Sequence, residues 1–139
     1  MAEMALWPTL HDSEQLSWFR QRASQLSAAW LKIDTGMHRL GFSADALPQA
    51  LSALQEAGIA DITLMSHLAT AEHPDAELTS RQLADWQERL SGWPGSVSLH
   101  NSAAARTRST GPSDWARLGY ALYGGHIKGL PVDETLRPA

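Results

Sequence analysis

Short apolar runs recur along the chain at "EMALWPTL", "AAWLKID", "DITLMSH", "SVSLHN" and "WARLGYALYGG", and the stretches between the first four carry helical spacing. This alternation restricts the chain to parallel β/α units, because neighbouring parallel strands need a long crossover and a helix is the usual one. Right-handed crossovers then predict one parallel sheet. Five such strands make either an open sheet or part of a (β/α)8 barrel, and local patterning does not separate the two. A whole barrel takes about 250 residues, whereas the chain has 139.

The connections can be read individually. In the first, Leu16, Phe19, Ala23 and Leu26 share a face, with Asp12 or Ser13 as N-cap and Gln15 placed to bond back, which predicts a helix over 13–26. In the second, Leu47, Ala50, Leu51, Leu54 and Ala57 form the stripe, with Ser43 as cap, Pro48 in the first turn and Gly58 as the stop. The third begins at Thr79, with Gln82 completing a capping box, continues through Leu83, Trp86 and Leu90, and ends near Gly92 and Pro94. The fourth, "SAAARTRSTGPSD", predicts one helical turn and a loop. Residues 130–139, "LPVDETLRPA", read as a frayed tail or linker, leaving one domain over 1–129.

Composition narrows the function. With 43% hydrophobic and 19% charged residues and no charge block, the chain carries enough apolar material for a packed core. A net charge of -4 and scattered arginines offer no basic face, which argues against nucleic acid. The absence of cysteine removes disulfides, thiolate metal sites and cysteine nucleophiles, and it fits a reducing compartment. No stretch has the length of an export signal or a membrane span, so a cytoplasmic protein that does not bind membrane is expected. The histidines lack metal-ligand spacing, and no metal is expected.

In parallel α/β folds, ligands meet the carboxyl ends of the strands. Each predicted strand end here is polar: Asp34 to Arg39 after the second, Ser66 and His67 after the third, Asn101 and Ser102 after the fourth, "GYALYGG" after the fifth. Singly, each residue has an ordinary structural role. His67 can bond a backbone carbonyl, Asn101 and Ser102 can start a turn, and Arg117 can lay its stem on Trp115. Lys32, one of only two lysines, can snorkel from a strand edge. The set carries more information than its members.

Together these stretches resemble the alanine racemases, pyridoxal-phosphate enzymes with an N-terminal (β/α)8 barrel. "WLKIDTGMHRLGF" is similar to that family's Lys-x-Asp-Thr-Gly-Met-x-Arg-x-Gly-Phe signature, "MSHLATAEHPD" to its histidine strand, "LHNSAAA" to its Asn-Ser phosphate turn and "SDWARLGYALYGG" to its Asp-Trp-x-Arg-Pro-Gly stretch. The four occur in family order over about residues 5–125. The resemblance implies an α/β fold covering strands four to eight of the barrel. It also implies an isomerase activity, the interconversion of L- and D-alanine for cell-wall synthesis, with pyridoxal 5'-phosphate as cofactor and a small amino acid as substrate.

By the same resemblance, a carbamate on Lys32 would pin Arg39 toward the cofactor's phenolic oxygen and the substrate carboxylate. Arg117 would face the pyridine nitrogen, with His67 orienting it. Ser102 and the amides of Gly119 and Tyr120 would bind the phosphate, and Asn101 would brace their turn. Some positions depart from the family. Leu118 replaces its proline, the acidic turn reads Ala71, Glu72, His73, Pro74 with Asp75 displaced, and Arg106 and Arg108 follow "NSA" where many members are apolar.

The resemblance also marks what is missing. The lysine that anchors the cofactor covalently lies in the family's first βα unit, and the opposing acid/base tyrosine in a partner subunit's C-terminal β domain. Neither motif occurs here, since Lys32 is already assigned and Lys128 follows the last strand. No catalytic residue is therefore expected in the chain, which alone should not racemise, because racemisation needs a base on each face of the α-carbon. A homodimeric parent enzyme or a complementing chain is the expected partner. The alternative is a remnant that binds the cofactor or a partner without turnover.

Overall fold

A computed structural model of the chain describes residues 6–22, 26–107, 111–127 and 129–130. Parallel strands β1 (Thr9–Leu10), β2 (Ala28–Lys32), β3 (Asp61–Met65) and β4 (Val97–Ser98) pair in the order β1-β2-β3-β4. Strands β5 (His100–Asn101) and β6 (Ala116–Arg117) form a second parallel pair. Helices α1 (Ser13–Arg20), α2 (Leu47–Glu56) and α3 (Glu77–Arg89) make the crossovers, and α4 (Ser102–Thr107) and α5 (Gly119–Leu122) follow β5 and β6.

Register decides which residues face the helices. Leu10, Leu31, Leu64 and Val97 are successive cross-strand partners, so they project from one face, and all four belong to the core cluster with Leu16, Phe19, Leu54 and Trp86. Burying each such side chain contributes about 1.5–3 kcal/mol before entropy is counted. The opposite face carries Thr9, Trp30 and Thr63 in one row and Lys32, Met65 and Ser98 in the next. Alternation along each strand thus sends a leucine-rich row outward to the helices and a mixed row to the concave side, the arrangement of a partial α/β barrel. On that concave side Trp115 meets Trp7 edge-on, with ring centroids 6.4 Å apart, and lies 6.0 Å from Trp30.

Several boundaries differ from the sequence expectations. α1 ends at Arg20, short of residue 26; Asp12 is its cap, accepting from the Gln15 amide at 2.8 Å, while Gln15 Oε1 accepts from the His11 amide at 3.0 Å. The N-cap of α2 is Ala46, not Ser43, although the Ser43 carbonyl accepts from Leu47 N; Gly58, at φ +83°, ends the helix as expected. α3 starts two residues before Thr79, and Thr79 and Gln82 are fully buried rather than capping. The sheet is split in two at Leu99, where "SVSLHN" changes partners from β3 to β6. After α4, which exceeds one turn, only Ala116–Arg117 of "WARLGYALYGG" is strand, and Gly119–Leu122 is helical. Ala23, Arg108, Lys128 and the tail from Pro131 lie outside the described residues.

Candidate functional site

The segment after β2 doubles back on itself. Ile33 bridges to Phe42, with Phe42 N donating to Lys32 O and Asp34 N to Phe42 O, both at 2.9 Å. Inside this closed loop the Asp34 carboxylate accepts from the amides of Gly36 and His38 at 2.9 and 3.0 Å and lies 3.1 Å from His38 Nδ1. Burial opposes ionisation of Asp34, but these hydrogen bonds outweigh it and hold its carboxyl below the usual range. Gly41 is required by geometry. It sits at φ +129°, and a Cβ there would lie 2.6 Å from Asp34 N. Arg39 and Leu40 are left exposed at the tip.

Beyond β3, three successive carbonyls each accept from a different element. Ser66 O takes Arg117 Nη2 at 2.6 Å, His67 O takes Gln82 Nε2 at 2.9 Å, and Leu68 O takes Asn101 Nδ2 at 3.1 Å. Arg117 Nη1 donates to Ser98 O at 3.0 Å and to Ser98 Oγ at 2.6 Å. The guanidinium is therefore fixed by Ser66 and Ser98. The His67 ring, expected to orient it, instead has Nε2 3.5 Å from Asn101 Nδ2. Burial lowers the pKa of Arg117, but a guanidinium stays charged at any ordinary pH.

Asn101 uses both ends of its amide, because Oδ1 accepts from Ala104 N at 2.9 Å and so caps α4. Ser102 Oγ accepts from Ala121 N at 3.0 Å, tying α4 to α5. That bond leaves the Ser102 proton unspent, and among the described residues none takes it. A Cβ at Gly119 would meet nothing within 4 Å, so the missing side chain leaves space instead of relieving a clash.

His67, Asn101, Ser102, Arg117, Gly119 and Tyr120 line one cavity of about 560 Å³, together with Glu72, Ala103, His126 and Ile127. Sequence reasoning did not single out the last three, whose types carry no signal of their own. Arg39 and Lys32 are not among the lining residues. Lys32 lies beneath the mouth, 7% exposed, in the concave row with Met65 and Ser98. Burial lowers its pKa, Arg39 and Arg117 lower it further, and Asp34 opposes them. Burial also pushes His67 down to about 4, with Arg117, Lys32 and Arg39 adding to the effect. The cavity thus sets the Arg117 cation beside a neutral His67 imidazole, with Glu72 as the carboxylate of its lining and Lys32 close behind. No group of histidines and acids among the described residues could hold a metal.

The chain is similar to known proteins in both sequence and fold. The family described as alanine racemase, N-terminal domain, matches residues 1–127. An alanine racemase from Azoarcus sp. (strain BH72) is 41% identical over 121 residues, covering 86% of this chain and 34% of the Azoarcus protein. The crystal structure of biosynthetic alanine racemase from Pseudomonas aeruginosa superposes with a TM-score of 0.83 at 35% identity, over 99% of this chain and 40% of the other. Alanine racemase from Bartonella henselae, solved with covalently bound pyridoxal phosphate, gives 0.79 at 25% identity, covering 99% of this chain and 41% of that one. The chain spans about a third of the length of the curated relatives it matches. By sequence and fold, this chain belongs to the alanine racemase family, matching its N-terminal domain.

Proposed function

We propose that the chain supplies the cofactor-holding wall of an alanine racemase barrel, an isomerase that interconverts L- and D-alanine with pyridoxal 5'-phosphate. The observation that carries this reading is the Arg117 guanidinium, held by three acceptors at the mouth of a cavity that Asn101, Ser102 and Gly119 also line. The residues present fit the cofactor. Ser102 has a hydroxyl proton to give, Gly119 leaves room for close approach, and the Gly119 and Tyr120 amides at the start of α5 are donors that the helix itself does not use. These groups would hold the phosphate.

Bound pyridoxal phosphate supplies an electron sink for charge at the substrate α-carbon. Arg117, a permanent cation, would hold the pyridine nitrogen, keep a proton off that atom and so moderate the sink. His67 stays neutral beside it and adds no competing charge. Asn101 holds α4, and through it Ser102, against the segment after β3. The bases that exchange the α-proton come from outside this chain, from a second subunit or a complementing polypeptide, and the setting is the cytoplasmic supply of D-alanine for cell wall.

Lys32 enters as a modified residue. Burial lowers the proton affinity of Lys32, Arg39 and Arg117 lower it further, and the neighbouring Asp34 carboxylate is committed to Gly36 and His38. The unprotonated form of such an amine adds to carbon dioxide, forming an N–C bond and releasing one proton. The product is an anion among cations, able to draw Arg39 inward. Intact-mass measurement with and without bicarbonate should show one labile carbon dioxide adduct, lost in Lys32→Ala. An unmodified wild-type chain would remove this role.

The main test is direct. Titration with pyridoxal phosphate, followed by absorbance, should give saturable binding that Arg117→Ala weakens by about tenfold or more. Equal binding by both proteins overturns the reading. Mixing with a polypeptide that carries the remaining strands and the β domain should restore L-alanine racemisation, whereas cofactor binding without turnover marks a non-enzymatic remnant.

A further inference from the structure

Gln82 is completely buried on α3, outside the cavity, and every strong donor and acceptor it owns is engaged. Its Oε1 accepts from Ala69 N at 2.9 Å, while Nε2 donates to His67 O at 2.9 Å and to Thr35 Oγ1 at 3.2 Å. The order of donors beyond it can be deduced. Ser66 Oγ spends its proton on Ile33 O at 2.9 Å, so the 2.8 Å contact between Thr35 Oγ1 and Ser66 Oγ is donated by Thr35. Thr35 must then accept from Gln82. One directed chain therefore runs from α3 through the end of β2 to the end of β3.

We infer that Gln82 is a positioning residue for the cofactor pocket, setting the 66–69 backbone against which Arg117 and Asn101 are fixed. Arg117 takes Ser66 O and Asn101 takes Leu68 O, immediately either side of the carbonyl held by Gln82. If that segment shifts, both cavity-lining side chains lose their seat together. Thr79, three residues before Gln82 on α3, holds the stretch that follows, with Oγ1 3.0 Å from Thr70 O and 3.2 Å from His73 O. The inference rests on the proposed cofactor reading, yet it can be tested apart from it.

The comparison is wild type against Gln82→Met, which keeps length and volume but removes both donors and the acceptor. NMR on the whole chain reads two things: exchange of the Ala69 amide, which reports the local bond, and the guanidinium protons of Arg117, which report transmission. Faster Ala69 exchange with loss of the distinct Arg117 guanidinium signals, in a variant still folded by circular dichroism, supports positioning. Faster Ala69 exchange with unaltered Arg117 signals overturns it. Thr35→Val, which cuts the directed chain beyond Gln82, should also disturb Arg117, and it decides the matter should Gln82→Met not fold. In parallel, the pyridoxal phosphate dissociation constant should rise about tenfold in Gln82→Met. A wild-type chain that binds no pyridoxal phosphate defeats the cofactor reading, while the Arg117 signals still judge Gln82.

Discussion

His67 couples the candidate site to pH. Its ordinary pKa near 6.5 falls to about 4 on folding, so the unfolded chain binds a proton between these values that the native chain does not. Stability from this residue is therefore complete above about pH 6.5, is lost as pH falls toward 4, and changes no further below. For a half-buried ring, solvent screening reduces the loss to about 1–2 kcal/mol. Urea unfolding at pH 7 and pH 4.5 should show a smaller decline in His67→Asn than in wild type, and parallel declines would refute the coupling. At this scale the sequence was most legible where a residue type was out of place. Lys32 drew notice as a lysine within an apolar run, and the structure buries it. Ser98 escaped, and Gln82 was taken for half of a capping box, because their partners, Arg117 and the Trp115 carbonyl for Ser98, and Ala69 N, the His67 carbonyl and Thr35 for Gln82, lie far off in the sequence or on the backbone.

The elements were legible in kind and blurred at their ends. Asp12 and Gln15 read correctly as a cap because short-range hydrogen bonding decides a helix start. Asp12→Ala should cost about 1 kcal/mol in denaturant unfolding, and no change in the transition midpoint would contradict the cap. Thr79 and Gln82 have the same i,i+3 spacing as a capping box, but Ala76 is the N-cap of α3 and both side chains point into the protein instead. Spacing cannot tell these cases apart, because it fixes that two side chains share a face and not what that face meets. "GYALYGG" was misread for a related reason. Its apolar residues are not packed as a strand; Tyr120 and Leu122 are exposed on a short helix, and Tyr123 is exposed just after it.

For the whole molecule, the alternating pattern was enough to indicate parallel β/α units, while the choice between open sheet and barrel segment came from family likeness. The break at Leu99 was not legible, since nothing local in "SVSLHN" shows which neighbour each residue pairs with. The described residues leave Leu6, Trp7, Trp115, Leu118, Tyr120, Leu122 and Tyr123 exposed. Apolar surface on this scale promotes association. Sedimentation velocity of the isolated chain should show mass rising with concentration, and a strictly monomeric boundary at high concentration would count against an open concave face.

Trp7 and Trp115 belong to distant parts of the sequence, yet their indoles touch across the hollow of the sheet, with Trp30 close to the second ring. The protein thus contains its own optical gauge. Any event that widens or narrows that hollow alters how these chromophores couple and how much water reaches them, so its emission spectrum reports the shape of the arc without a label.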